Sequence, residues 1–135
     1  MTLVDTNVLL DLLTMDPVWV EWSVSALGQA EADGPLVIND VVYAELSSRF
    51  ERMESVDAFI SESRLELLPM PRATLFLAGK AFARYRTLGG TRSGVLPDFF
   101  IGAHAVVLGT PILTRDPRRY RTYFPTVSLI SPPTA

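Results

Sequence analysis

Short apolar runs alternate along this chain with longer segments in which apolar residues return every three or four positions, the pattern of strands interleaved with helices. Leu3-Val4 reads as a short buried strand that turns into a helix at Thr6 or Asn7, either of which can cap it. In that helix Val8, Leu9, Leu10, Leu12 and Leu13 spread over one broad face, while Asn7 and Asp11 share the other. Asp16-Pro17, a cap followed by proline at the first position, predicts a second helix to about residue 32, ended by Asp33-Gly34-Pro35. Leu36-Val37-Ile38 is the next strand, and Asn39-Asp40 caps a helix to about residue 52. Residues 55–63 predict a helix and 66–68 a strand. Residues 71–88 form a long amphipathic helix with Leu75, Ala78, Phe82 and Tyr85 on one face, stopped by Gly89-Gly90. Residues 97–108 are apolar nearly all round, hence central, and Ile112-Leu113 and 127–130 read as the last strands. Such alternation predicts an α/β fold in three layers, α/β/α, with a short central parallel sheet covered on both faces. With no repeat, low-complexity tract or linker, residues 1–135 read as a single domain.

Composition narrows the class. A chain of 135 residues with 48% apolar content can bury a core of its own. The absence of cysteine excludes disulfides, zinc ribbons and thiol catalysis together. His104 is the one histidine, which excludes a two-histidine acid–base nuclease and argues against a His-rich zinc site. The apolar start lacks a basic leader and is broken by Asp5 and Asp11, unlike a secretion signal. The longest uncharged stretch, 99–114, falls short of the ~20 apolar residues that span a bilayer. The expectation is a soluble, cytoplasmic protein without a membrane partner.

The net charge of −3 hides a division. Residues 1–70 hold 13 acids against 3 bases, whereas residues 71–135 hold 2 acids against 9 bases. That asymmetry points to a polyanion partner, the plainer alternative being arginines on solvated helix faces.

Four carboxylates stand beside or inside apolar runs: Asp5, Glu45, Asp98 and Asp116. Ionised groups are rarely left there without a partner. Asp5 and Asp116 each follow a predicted strand, and ligands of parallel sheets bind at the carboxyl ends of strands, where the strand order reverses. Asp98 lies in the first turn of a buried helix, where the dipole favours an anion. Glu45 follows Val41 and Val42 by four and three positions and shares their inward stripe. Brought together, two such groups ~4 Å apart repel by roughly 4 kcal/mol at an effective dielectric near 20. A divalent cation for phosphate chemistry would relieve that.

The ordered set resembles the PIN-domain nucleases, and within them the VapC-type toxins of toxin–antitoxin pairs. Asp5-Thr6-Asn7, Glu45 on its helix, Asp98 before Phe100-Ile101-Gly102-Ala103-His104-Ala105, and Thr114-Arg115-Asp116 match the family's order and spacing over the whole chain. The resemblance implies a PIN-like domain acting as a Mg²⁺- or Mn²⁺-dependent endoribonuclease, a homodimer held inactive by a small cognate antitoxin. On this reading Asp5, Asp98 and Asp116 hold the metal, and Glu45 binds a second metal or orients the attacking water. Thr6, Asn7 and Thr114 are suited to fixing carboxylate orientation, and Arg92, in the loop 89–94, and Arg115 are candidate RNA-phosphate contacts.

Other residues read more plainly. Asp11 falls on the polar helix face and Asp40 is a cap. His104 does not share the face of Asp98 and reads as a core or interface histidine. Trp19 and Trp22 read as core packing rather than a base-stacking or antitoxin-gripping pair. An aspartyl-phosphate phosphatase would want Asp-x-Asp where this chain has Asp5-Thr6-Asn7, and a receiver domain wants a lysine near its last strands, whereas Lys80 comes too early. The serious alternative is a non-catalytic PIN fold that binds RNA or a protein.

Overall fold

A computed structural model describes residues 1–92 and 94–133. Its order is β1 (Thr2–Val4), α1 (Thr6–Leu13), α2 (Val20–Asp33), β2 (Leu36–Asn39), α3 (Asp40–Ser47), α4 (Met53–Glu62), β3 (Leu65–Leu68), α5 (Arg72–Thr87), α6 (Leu96–Leu108), β4 (Ile112–Leu113), α7 (Arg118–Tyr123) and β5 (Leu129–Ile130). The five strands pair in parallel in the order β3-β2-β1-β4-β5. The chain advances from β1 through β2 to β3, then returns by α5 and α6 to the other side of β1. Right-handed crossovers in opposite directions put helices on opposite faces, which makes three layers. The strand order therefore reverses between β1 and β4, and the crevice for a ligand opens at their carboxyl ends.

Leu3, Val4, Val37, Ile38, Ile112 and Leu113 are fully buried in the sheet. Runs without polar alternation belong to strands covered on both sides. Phe99 of α6 is the hub of an aromatic cluster, with ring centroids 5.8 Å from Phe82, 5.6 Å from Tyr85, 5.1 Å from Tyr123 and 6.2 Å from Phe124. Rings at such distances gain beyond their area alone. The cluster locks α5, α6 and α7 together and fixes the first turn of α6, which carries Asp98. Gly102 makes room for it: a Cβ there would lie 2.3 Å from the Phe124 ring.

Several local expectations are corrected. Asp5, not Thr6 or Asn7, occupies the N-cap position of α1, and its side chain caps nothing. The second helix begins at Val20 because the Asp16 carboxylate accepts from the Val18 and Trp19 amides and holds residues 17–19 in a turn. Helix α3 stops at Ser47, five residues short of the predicted end. Asn39 does cap it, accepting from the Val42 amide at 3.0 Å. On α5, Ala78, Phe82 and Tyr85 pack inward as predicted, but Leu75 is exposed and Thr74 is buried in its place. Helix α7 is an addition, and the last strand shrinks to Leu129–Ile130.

Candidate active site

Asp5 leaves the end of β1 where the chain turns directly into α1. The residue is 5% exposed, and all the hydrogen bonds to its carboxylate fall on one oxygen. Oδ2 accepts from Thr114 Oγ1 at 2.8 Å, the Tyr120 hydroxyl at 2.8 Å and Asn7 Nδ2 at 3.3 Å. No described residue donates to Oδ1. Burial first, then the charge of Asp98, pushes the Asp5 pKa up to about 6, against the hydrogen bonds from Thr114 and Tyr120; Glu45 adds to the rise.

Glu45 reaches the same crevice from α3. Thr6 Oγ1 donates to its Oε1 at 2.6 Å. Burial raises its pKa, the Thr6 hydrogen bond opposes this, and Asp98 adds to it. Asp98 is the hub of the repulsion, sensed by both Asp5 and Glu45. Its own pKa is raised by burial and by Asp116 and lowered by Arg119, whose Nη1 donates to its Oδ2. Asp116 stands at the rim with 57% of its side chain exposed, 3.4 Å from Arg118 Nε. The crevice thus gathers Asp5, Glu45 and Asp98, with Asp116 reaching it through Asp98.

Asn7 ties the two strand ends together. It donates to Thr114 Oγ1 at 3.2 Å, and its Oδ1 accepts from the Arg115 amide at 3.2 Å. Thr114 Oγ1 in turn accepts from the Asp116 amide at 3.1 Å. The polar residues beside the acids therefore hold the loop after β4 against the turn after β1.

The donor set suits a hard divalent cation: carboxylate oxygens, one of them the undonated Oδ1 of a buried group, in a cluster whose members raise one another's pKa. Yet no three acidic or histidine side chains among the described residues stand close enough to hold one ion between them. Arg119 supplies the nearest positive charge instead.

Three residues escaped the sequence reading. Tyr120 is buried and hydrogen-bonded to Asp5, and its spacing with Tyr123 and Phe124 was the available signal. Arg119 was one base among nine. Asp11, expected on a solvated face, is 1% exposed: Arg115 grips it through Nε at 2.8 Å and Nη2 at 2.9 Å, and Ser23 donates at 2.8 Å. The Arg115 guanidinium also lies 5.6 Å from the centre of the Trp19 ring, while Trp22 packs against the core. His104 is buried as expected. Asn39 Nδ2 donates to its Nδ1, so the proton is on Nε2, which no described residue accepts.

The PIN domain family model matches residues 2–125, and the chain belongs to that family. A search of curated proteins finds no match. Among solved structures, the chain resembles one in the VapBC2 complex from Rickettsia felis bound to a promoter DNA fragment, with 18% identity, TM-score 0.74 and 98% of each chain covered. It also resembles VapBC-1 from nontypeable Haemophilus influenzae, with 17% identity, TM-score 0.71 and 96% of each chain covered. FitAcB from Neisseria gonorrhoeae is similar at 19% identity, TM-score 0.67 and 96% of each chain. At these identities the likeness is one of fold. No helix among the described residues is long and apolar enough to cross a membrane.

Proposed function

We propose that this chain is a Mg²⁺- or Mn²⁺-dependent endoribonuclease, a single PIN domain over residues 1–135 that serves as the toxin of a toxin–antitoxin pair. The observation that carries the reading is the meeting of Asp5, Glu45 and Asp98 at the switch point of the sheet, with Asp116 at its rim. Asp5, Asp98 and Asp116 would hold the cation, in part through the waters that such an ion keeps. When bound, such a cation lowers the pKa of a water and neutralises charge gathering on the phosphodiester. Thr6 holds one oxygen of Glu45, leaving the other to orient the attacking water and take its proton. Burial raises the pKa of Glu45, which makes it a stronger base than an exposed carboxylate. Arg92, exposed beside the crevice, is the phosphate contact in this reading; Arg115 acts through its grip on Asp11 and the loop it steadies. A small inhibiting antitoxin belongs to the proposal, supported by likeness in fold to a chain of a toxin–antitoxin complex from Klebsiella pneumoniae, and homodimerisation completes it.

The test is cutting of single-stranded RNA by the purified chain with and without EDTA, with Mn²⁺ then restored. Cleavage should stop in EDTA, return with Mn²⁺, and be absent from Asp5→Asn and Asp98→Asn. A non-catalytic RNA- or protein-binding module is the second reading, favoured by the absence of a ready-made ion site among the described residues. Wild-type protein that never cuts, or cuts equally well in EDTA, would favour that module or a metal-free enzyme over the present proposal.

A further inference from the structure

Arg119 stands between two environments. On one side its guanidinium donates to Asp98 in the acidic crevice. On the other it lines an open cleft of about 350 Å³ with Arg92, Arg118, Asp116, Thr122 and Tyr123. Three arginines against one carboxylate leave the cleft basic. Its internal ion pair, Arg118 with Asp116, is exposed on both partners and therefore weak. Planar guanidinium groups facing one opening match the paired oxygens of a phosphodiester. The side chain of Arg119 is only 27% exposed, but its helix is anchored next door by buried Tyr120, so the guanidinium can change partners while the backbone stays.

We propose that Arg119 is an exchangeable counter-ion: in the free protein it neutralises Asp98, and when a divalent cation takes its place it turns into the cleft with Arg92 and Arg118 and binds a phosphate of the RNA strand. The inference rests on the function proposed above and adds a coupling to it. Cation and Arg119 compete for Asp98, so removing Arg119 favours the cation. Released Arg119 joins the phosphate contacts, so the cation favours RNA. Coupling free energies are reciprocal.

The test has two arms on the full chain. In the first, Mn²⁺ binding without RNA is followed by calorimetry. Arg119→Ala should bind Mn²⁺ about fivefold or more tighter than wild type, and Arg119→Lys should restore most of the wild-type weakness. Unchanged affinity in a folded Arg119→Ala variant overturns the exchange. The second arm measures anisotropy of a labelled single-stranded oligoribonucleotide over a salt series, in a Glu45→Gln background to slow cutting. In EDTA, Arg92→Ala and Arg118→Ala should each lower the salt slope by about 1, whereas Arg119→Ala should not. In Mn²⁺ all three should lower it, and the gain in RNA affinity that Mn²⁺ gives should vanish in Arg119→Ala. Arg72→Ala, on the exposed start of α5, should change neither arm. Equal losses in EDTA and Mn²⁺ make Arg119 a fixed contact and overturn the exchange alone. A chain that binds no RNA in either buffer overturns the function as well.

Discussion

Asp5 shows how one buried carboxylate can be held in place and still lack a counter-charge. Three donors orient Oδ2, yet burial and Asp98 keep the pKa at about 6, against an ordinary 3.8. A folded-state pKa above the unfolded value means that the folded chain holds the proton more tightly. The ionised form therefore costs stability above about pH 6, and the cost fades as the pH falls toward 3.8. The difference corresponds to ~3 kcal/mol at neutral pH. After the Asp5→Asn substitution, the amide oxygen can still accept from Thr114 and Tyr120. That variant is thus expected to melt above wild type at pH 7.5 in EDTA, with the gap closing by about pH 4. A variant that melts lower at every pH would mean that the hydrogen bonds of the carboxylate outweigh the repulsion.

At the scale of elements, two contacts hold the strand-end loop and the helices in register. The Asp11–Arg115 pair joins α1 to the loop after β4, with Asp11 fully inside and Arg115 29% exposed. Removing one partner of such a pair leaves an uncompensated buried charge. Arg115→Ala should therefore cost roughly 3–5 kcal/mol in urea unfolding, much of which Asp11→Leu on the same chain should recover. A loss below about 1 kcal/mol would mark Arg115 as a surface residue. The seat of Phe124 on α6 is the second contact. Alanine favours a helix over glycine by about 1 kcal/mol, but a Cβ at position 102 would meet the Phe124 ring at 2.3 Å. Gly102→Ala should be destabilising by about 1–3 kcal/mol, and Phe124→Leu should relieve part of the loss.

For the whole molecule, the division of charge becomes spatial. Asp5 and Glu45 of the first half meet Asp98 in the crevice, and Arg92, Arg118 and Arg119 of the second half line its basic margin. A cation that binds only the folded chain stabilises it by mass action. Mn²⁺ at about ten times its Kd should add ~1.4 kcal/mol, which for a domain of this size raises the melting temperature by roughly 5 °C. Asp98→Asn should abolish that rise. An unchanged melting curve in millimolar Mn²⁺ would remove the metal site from the proposal. Expression of wild type alone should arrest growth, and Asp98→Ala at matched abundance should not; equal harmlessness of both would end the toxin reading.

The alternation of strands and helices, the apolar strands of the sheet, the cap at Asn39 and the acids beside apolar runs were all legible in the residue order. Each depends on residues within a few positions of one another, and local periodicity and turn chemistry report them directly. It also permitted a ligand crevice at the strand ends, because that placement follows from parallel topology. Helix starts were misplaced where a side chain did something non-local or unusual: Asp16 built a turn, and Asp5 took the cap position while turning its carboxylate elsewhere. Asp11 looked solvated because its polar neighbours on the helix face were all that the sequence displayed. That this face turns inward depends on a partner, Arg115, that lies 104 positions away. Tyr120, 115 positions from Asp5, and Arg119, 21 from Asp98, were equally invisible for the same reason. Which donor or counter-charge a buried carboxylate finds is fixed by the meeting of distant segments, and no local pattern encodes that meeting.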